Sequence, residues 1–195
     1  MATQCNLAPL INEEFLVTGA WGEPRTGHTH AGIDLQTRKA YQTGVGQPVY
    51  SMCDGIVQFV GSNAGYGPYC IIYNPTNDDL WLFGDMDSNI VVSQGQTILQ
   101  GQQIGYEGNP AGTASTGLHV HMEKENHGNN TWLGGYDDSV DPVSGTGIQN
   151  VRFTTSGDIY IYDGSPVPPV PPATETEKKK FPWFIYYNKW RMFGR

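Results

Sequence analysis

Residues 117–124 read GLHVHMEK, a stretch in which polar side chains alternate with apolar ones. This alternation predicts a β-strand, in which successive side chains point to opposite faces of the sheet. His119 and His121 are two residues apart and are therefore expected on the same face. Two imidazoles one pleat apart can converge on a single centre, so the sequence predicts a site on this strand.

A second stretch, HTHAGID at residues 28–34, carries further potential ligands. His30 and Asp34 lie four residues apart with Gly32 between them, so the chain can bend and bring both side chains to one point. Three nitrogen or oxygen ligands with an open fourth position are the pattern of a catalytic zinc site. The alternative is that these are unrelated surface or core histidines, although the two stretches hold four of the chain's five His residues.

The rest of the body of the chain reads as short strands separated by turns. It holds 25 Gly and 13 Pro among 195 residues, and only 15% of the residues are charged. Such a composition is typical of a β-rich domain and argues against a helical bundle or a disordered chain. No segment keeps a helical period over three turns. The segments predicted as strands or hairpins are residues 49–60, with a turn or bulge at Asp54-Gly55, and residues 69–73, 80–83, 118–124 and 151–162.

The two histidine stretches and the sequence between them resemble the lysostaphin/LytM-like family of zinc-dependent peptidoglycan endopeptidases. The resemblance rests on the order HxGxD, a long β segment, then GxHxH followed by Glu, and it covers about residues 18–143. The strand–turn–strand at 48–57, the hairpin at 65–72 and the glycine-punctuated run at 94–105 are similar to the family as well. The resemblance implies a mainly β fold, an antiparallel sheet with loops that close a zinc groove.

The resemblance also implies a role for each residue of the two stretches. His30, Asp34 and His121 would bind Zn²⁺, and His119 would be the catalytic histidine beside the metal-bound water. The zinc would polarise the scissile carbonyl and lower the pKa of the water, while His119 would carry protons or stabilise the oxyanion. Glu123 follows two residues after His121 on the same face, either as a partner of a metal ligand or as a charge on the rim.

The sequence departs from the family at a second active-site histidine, which usually lies in a YxHL-like stretch. The corresponding stretch here is WLFGDM at residues 81–86, and no histidine lies between His30 and His119. Asp85 is the nearest counterpart, and we assign it with His119 as the second catalytic residue, because a carboxylate can act as a general base or orient a water. The alternatives are that Asp85 is a solvated loop residue and that His28 occupies the place of the missing histidine.

Charge, hydropathy and cysteine usage exclude several classes of protein. The net charge is −8 at pH 7, which argues against nucleic acid as a partner because phosphate binding needs a basic surface. No apolar run is long enough for a transmembrane helix, and residues 1–16 lack the basic start and apolar core of a secretory signal. The three cysteines form no CxxC pair. Cys5 precedes the predicted strands, whereas Cys53 and Cys70 lie in apolar strands and are expected to be buried free thiols.

A proline-rich run at residues 166–172 separates an acidic body from a basic, aromatic end. Residues 173–195 hold six Lys or Arg against two Glu, and seven aromatic residues lie within positions 181–193. We expect this end to dock to a partner protein, with membrane contact as the alternative, because the proline spacer holds it away from the body. The predicted divisions are an N-terminal arm (1–14), the zinc endopeptidase-like domain (15–143), a β-hairpin extension (144–164), a proline-rich linker (165–177) and a basic aromatic anchor (178–195).

These features together predict a zinc metalloendopeptidase that cuts peptide cross-links of bacterial peptidoglycan. An enzyme without a secretion signal needs another route to the wall, and a bacteriophage supplies one by carrying the enzyme on the virion. The anchor favours a phage tail protein, bound to other tail proteins through residues 178–195, that breaches the wall during genome delivery. The alternatives are a weak or inactive tail-tip or wall-binding component that keeps its metal site, and a soluble endolysin freed at lysis.

Overall fold

A computed structural model describes most of the chain between residues 15 and 162. Side chains and backbone are described for residues 18–110, 117–126, 134–135 and 137–142, and the backbone alone for the strand residues 15–17, 151–153 and 159–162. The predicted N-terminal arm, the proline-rich linker and the anchor, with Cys5, lie outside the described residues. The described part holds no helix that is long and apolar enough to cross a membrane.

The described chain forms fourteen short strands and one helix. The strands are β1 (Phe15–Gly19), β2 (Pro24–Arg25), β3 (His28–Thr29), β4 (Ile33–Thr37), β5 (Pro48–Tyr50), β6 (Gly55–Asn63), β7 (Gly67–Asn74), β8 (Asp79–Gly84), β9 (Thr97–Ile98), β10 (Gln103–Tyr106), β11 (Val120–Glu125), β12 (Ser139–Val140), β13 (Val151–Phe153) and β14 (Ile159–Tyr162).

The helix α1 (Arg38–Thr43) was not predicted, because six residues are too few to show a helical period. Both ends of the helix nevertheless have residues that commonly cap helices. The Thr37 hydroxyl accepts a hydrogen bond from the Ala40 N–H at 3.0 Å, and Gly44 ends the helix with a φ of 68°. The helix therefore turns the chain directly after β4.

Ten strands form one antiparallel sheet, in the order β13-β14-β1-β4-β11-β8-β7-β6-β9, with β12 paired to one end of β11. β10 pairs with β5, and β2 with β3, in separate two-stranded sheets. The predicted mainly β, antiparallel fold is confirmed. β6 begins at the predicted Asp54-Gly55 break, and β13 pairs with β14 as expected of the hairpin at 151–162. β4 and β11, the strands that carry the two sequence stretches, are direct neighbours.

One face of the large sheet packs into the hydrophobic core. Alternation places Ile33 and Leu35 of β4, and Val120 and Met122 of β11, on this face, where all four are buried. The side chains between them, among them the predicted ligands, therefore point to the opposite face. Further core residues from β5 to β10 and their turns are Val49, Met52, Val57, Ile72, Trp81, Phe83, Met86, Ile98 and Ile104.

Cys53 and Cys70 are buried free thiols, as predicted. Burial raises the pKa of the Cys70 thiol to about 12, so this residue does not form the reactive thiolate at neutral pH. Both residues belong to the hydrophobic core, where a thiol packs as a small apolar side chain.

The core face of β11 also carries a buried ion pair. Lys124 Nζ lies 3.2 Å from Asp79 Oδ2 and 5.1 Å from the centre of the Trp81 ring. Trp81 Nε1–H donates to Asp79 Oδ1 at 3.1 Å, and Asp79 and Lys124 are only 1% and 4% exposed. The pair therefore ties β8 to the strand that carries His121.

Replacing Asp79 by asparagine is expected to destabilise the fold by about 3–5 kcal/mol, because the Lys124 ammonium then stays buried without its counter-charge. Urea unfolding measures this loss. The double variant Asp79→Asn/Lys124→Met is expected to recover much of it, since no charge is buried and methionine still packs on Trp81. Equal losses in the single and the double variant would show that the ion pair is not the cause.

Candidate active site

Three side chains from separate parts of the sequence meet on the sheet face opposite the core. His30 follows β3, Asp34 lies in β4, and His121 is opposite Asp34 in the register of β11. Asp34 Oδ1 is 2.7 Å from His121 Nδ1 and 3.2 Å from His30 Nε2, and these two nitrogens are 3.1 Å apart. All three residues are buried. The structure therefore brings together the three residues that were expected to bind a metal.

The donor atoms fit a small divalent metal ion. In a tetrahedral zinc site with bonds of about 2.0–2.1 Å, the ligand atoms lie about 3.3 Å apart. The separations observed here, from 2.7 to 3.2 Å, are slightly shorter than that value. Two imidazole nitrogens and one carboxylate oxygen match the open, catalytic class of zinc site, which leaves a fourth position for water, rather than the closed structural class.

Hydrogen bonds and a proton hold the three side chains of the cluster together. Burial alone would lower the pKa of His121, but the hydrogen bonds and charges of Asp34 and Glu123 outweigh it and raise that pKa to about 10. Burial would raise the pKa of Asp34, yet hydrogen bonds with His121 and His30 hold it well below its usual range. His121 therefore carries a proton at neutral pH, and a metal that binds at Nδ1 must displace it.

The affinity for zinc is accordingly expected to rise with pH. Because one proton leaves His121 when the metal binds, the apparent affinity should increase about tenfold for each pH unit between about pH 6 and about pH 8. Competition titrations with a chromogenic chelator of known proton affinity measure this slope. A pH-independent affinity would mean that His121 is neutral before the metal arrives.

His30 and Asp34 are each held by a second group on the side away from the cluster. The His30 Nδ1–H donates to the Ala20 carbonyl at 2.8 Å, which leaves Nε2 for a metal. The second oxygen of Asp34, Oδ2, lies 3.0 Å from the guanidinium of Arg25. These contacts fix which atom of each side chain faces the cluster.

His121 has a comparable partner in Glu123. The His121 Nε2–H donates to Glu123 Oε1 at 2.9 Å, and Glu123 is 2% exposed, so it contacts a predicted ligand and is not a charge on the rim. The Tyr66 hydroxyl donates to the same carboxylate. Burial and then the charge of Glu123 raise the pKa of Tyr66 well above its usual range, so the hydroxyl remains a donor. The sequence did not single out Tyr66, which was marked only by its place between two glycines in the β6–β7 turn.

His119 lies beside the cluster and is turned toward Asp85. Its Nδ1–H donates to the Gly117 carbonyl at 2.8 Å, while Nε2 lies 3.3 Å from Asp85 Oδ2 and 3.9 Å from Asp34 Oδ1. Burial would lower the pKa of His119, but the hydrogen bond to Asp85 and the charge of Asp34 raise it, which favours the imidazolium form. The two residues expected to be catalytic therefore contact each other.

Asp85 is buried, so the alternative that it is a solvated loop residue is wrong. It follows β8 directly and has a φ of 52°, a left-handed conformation that is uncommon for a residue other than glycine. Its N–H donates to the Tyr66 carbonyl at 2.7 Å. Its Oδ1 is buried and has no hydrogen-bond partner within the described part of the chain, which is a costly state for an acceptor.

An open cleft of about 820 Å³ leads to this cluster. All five predicted site residues line it, and Arg25, Tyr41 and Tyr66 add to its walls. This volume is typical of small-molecule and peptide sites. His28 also lines the cleft, but it is exposed, and its Nδ1 contacts the Thr26 carbonyl at 3.3 Å. The structure therefore does not bring His28 to the place expected of a second active-site histidine.

Gly32 allows the two sequence stretches to approach each other. A Cβ at this position would lie 2.8 Å from Glu123 Cγ and 2.9 Å from His121 Cε1, and closer still to the Met122 carbonyl oxygen. No side chain fits there. The glycine was expected to let the chain bend, and the structure shows that it also lets this segment pass directly against β11.

A model of peptidase family M23 matches residues 28–132, which is more than half of the chain. The matched range begins at the first histidine stretch, ends after the second and includes Asp85. The matched range therefore contains all five residues that the sequence predicts for the site.

Several solved structures share the fold. A zinc-containing peptidase from Vibrio cholerae is 27% identical, with a TM-score of 0.55 over 72% of this chain and 39% of that chain. A variant of the catalytic domain of the prophage-encoded M23 protein EnpA from Enterococcus faecalis is 28% identical, with a TM-score of 0.53 over 69% of this chain and 94% of that one. Lysostaphin from Staphylococcus simulans, an antimicrobial peptidase, is 20% identical, with a TM-score of 0.57 over 81% and 65% of the two chains. The chain spans about two fifths of the length of the Vibrio cholerae peptidase.

Proposed function

The chain belongs to peptidase family M23, and from this premise we propose that it is a zinc-dependent endopeptidase that hydrolyses peptide cross-links of bacterial peptidoglycan. The observation that carries the proposal is the convergence of His30 Nε2, Asp34 Oδ1 and His121 Nδ1 within 3.2 Å of one another in an open cleft. The similarity to a Vibrio cholerae protein described as a zinc-containing peptidase supports the choice of metal.

The three ligand residues would hold Zn²⁺, which supplies a water of lowered pKa and polarises the carbonyl of the peptide bond. Arg25 binds Asp34 Oδ2, so that Oδ1 is the oxygen turned toward the metal position. The Ala20 carbonyl and the Glu123 carboxylate orient the two histidines in the same way.

His119 handles the proton in this proposal. The hydrogen bond from its Nδ1–H to the Gly117 carbonyl fixes the ring, and Nε2 is then the nitrogen that carries the mobile proton. This nitrogen points to Asp85 Oδ2, and the carboxylate stabilises the imidazolium that forms when the proton is bound. The proton on Nε2 can pass to the leaving amine as the peptide bond breaks.

Asp85 takes the place of the second histidine of the family and changes the charge of the pair. The pair then consists of one carboxylate and one imidazole, and the hydrogen bond to Asp85 favours the protonated form of His119. The buried Oδ1 of Asp85 remains able to accept a hydrogen bond from the attacking water or from a substrate N–H.

Replacing Asp85 by asparagine is expected to lower kcat by about 10–100-fold, because the isosteric amide keeps the shape but no longer stabilises the His119 imidazolium. Loss of the carboxylate also lowers the pKa of His119, so the alkaline limb of the pH–rate profile should move to lower pH. Steady-state kinetics on a defined cross-linked peptide measure both effects. The control is Asp87→Asn, an exposed position where the amide oxygen can still accept from the Asn89 N–H. An unchanged rate for Asp85→Asn would remove Asp85 from the mechanism.

The alternative of an inactive wall-binding component is not favoured. The matching family is a family of peptidases, and a purely structural use of the fold would not need the three residues of the candidate metal site. The pairing of His119 with Asp85 at 3.3 Å points in the same direction, because the cleft keeps a histidine and a second ionisable group next to the metal position.

The peptidase proposal is tested by incubating the 195-residue chain with purified peptidoglycan from several bacterial wall types. Mass spectrometry of the released fragments identifies new amino termini and so names the bond. Cleavage that is lost with a chelator and restored with zinc is the expected result. Absence of cleavage on every wall type, with zinc bound, would overturn the proposal.

We further propose that the protein is carried on a phage tail, where residues 178–195 bind other tail proteins. Support comes from the 28% identity to a prophage-encoded M23 protein and from the basic, aromatic composition of this segment behind a proline-rich linker. Deleting residues 173–195 should abolish incorporation into particles and spare peptide-bond cleavage. If the truncated protein instead loses only its action on intact walls or membranes, the soluble endolysin is the better description.

A further inference from the structure

The carboxylate of Glu123 lies between His121, on the same strand, and Tyr66, in the turn between β6 and β7. Its Oε1 is 2.9 Å from His121 Nε2, and the Tyr66 hydroxyl is 3.0 Å from Oε1 and 3.1 Å from Oε2. Glu123 is 2% exposed and His121 6% exposed. Two donors hold this buried carboxylate, and these contacts define its position.

The β-sheet brings the three residues together for a simple reason. His121 and Glu123 are two residues apart in β11 and share a face, and the neighbouring strand β8 has Gly84 opposite His121. A Cβ at Gly84 would lie 3.3 Å from Tyr66 Cβ, which is a tight contact. Because the position across from His121 has no side chain, Tyr66 can fold over it, and its ring centre lies 5.8 Å from that of His121.

We propose that Glu123, locked in place by Tyr66, is a positioning residue that makes Nδ1 of His121 the metal-binding atom. The inference rests on the proposed zinc-dependent function. An imidazole can turn by half a revolution about its Cβ–Cγ bond, and only one of the two orientations places Nδ1 against His30 and Asp34. Glu123 selects that orientation because it accepts the proton of Nε2, and this tautomer leaves the lone pair on Nδ1.

Tyr66 has a distinct part in this arrangement. By donating to both oxygens of Glu123, its hydroxyl opposes rotation of the carboxylate away from His121. A carboxylate released from this contact could turn toward the metal position itself and compete with the intended ligands. The hydroxyl therefore keeps Glu123 hydrogen-bonded to His121 and away from the metal position.

The experiment measures the zinc affinity of the 195-residue chain by competition with a chromogenic chelator. Glu123→Gln, which keeps an acceptor but loses the charge, should weaken zinc binding about tenfold, and Glu123→Ala should approach about a hundredfold loss. Tyr66→Phe should give a smaller loss than Glu123→Ala. The matched control is Tyr69→Phe, because the Tyr69 ring packs on Tyr66 at 5.7 Å and its hydroxyl makes none of these contacts.

A second readout separates positioning from general stability. Nitrogen-15 NMR of the zinc-loaded protein should show His121 protonated at Nε2 and metal-bound at Nδ1 in the wild type, and a mixture of ring states in Glu123→Ala. Thermal unfolding of the metal-free variants identifies any that fail to fold, and Tyr66→Phe, which removes one oxygen atom, serves if both Glu123 variants fail.

Zinc affinities of all folded variants within twofold of the wild type, or an unchanged His121 ring state in Glu123→Ala, would overturn the inference while leaving the peptidase proposal intact. A wild-type protein that binds no zinc would overturn the proposed function and the inference together.

Discussion

Replacing Asp34 by asparagine is expected to abolish chelator-sensitive cleavage of peptidoglycan, with a loss of about a thousandfold or more in kcat/KM. Asp34 Oδ1 is the atom that contacts both candidate histidine ligands, at 2.7 Å and 3.2 Å. The amide has nearly the same shape but carries no charge, so it is a poor metal ligand. A zinc ion contributes several kcal/mol to transition-state stabilisation, and each 1.36 kcal/mol corresponds to a tenfold change in rate.

Zinc affinity and activity should fall together in this variant. Asp87→Asn is again the matched control, since it makes the same chemical change at an exposed position. Circular dichroism of both proteins checks that the fold is intact. If Asp34→Asn keeps both zinc and activity, the metal lies elsewhere, and the central assignment of this site is wrong.

Replacing His119 by alanine is expected to lower kcat by about 10²–10⁴-fold, the usual contribution of a general acid or base. In contrast to Asp34→Asn, this variant should keep its zinc affinity, because His119 Nε2 faces Asp85 and lies 3.9 Å from the Asp34 oxygen of the ligand group. The effect is therefore expected in the chemical step. Single-turnover kinetics with zinc-saturated protein measure that step directly.

His28→Ala provides the comparison for this variant. His28 lines the same cleft, but its imidazole is exposed and contacts a backbone carbonyl of its own hairpin. Its removal should change kcat little. An equal loss in the two variants, or a loss of zinc from His119→Ala, would contradict the separation of metal ligands from proton-carrying residues.

One part of the candidate metal cluster was predictable from the sequence, because the spacing of the histidines at 119 and 121 depends on local periodicity. His121 and Glu123 share a face of β11 (Val120–Glu125), and His119 lies directly before this strand. The HTHAGID stretch at residues 28–34 could be assigned to the same site because the order of the two histidine motifs resembles that of the lysostaphin/LytM-like family. The pairing of β4 with β11, with Asp34 opposite His121, then follows from the fold and not from either stretch alone.

The surroundings of the cluster could not be predicted, because they depend on contacts between distant segments. Asp85 was assigned as a catalytic residue through the resemblance, but its burial could not be predicted, because it depends on a left-handed turn after β8 and on the hydrogen bond to the Tyr66 carbonyl. Tyr66 reaches Glu123 only because Gly84 leaves space across the sheet. The sequence pattern indicates neither the burial of Asp85 nor the contact between Tyr66 and Glu123, because both depend on which segments are neighbours in the fold.

In the proposed site, two histidines and one aspartate hold a zinc ion and leave a position open for water. X-ray absorption at the zinc edge of the zinc-loaded protein tests this assignment. We expect nitrogen and oxygen ligands only, at about 2.0–2.2 Å, with scattering from two imidazoles and none from sulfur. A sulfur ligand at about 2.3 Å, or a shell with no imidazole, would place the zinc outside this cluster and show that the assignment is wrong.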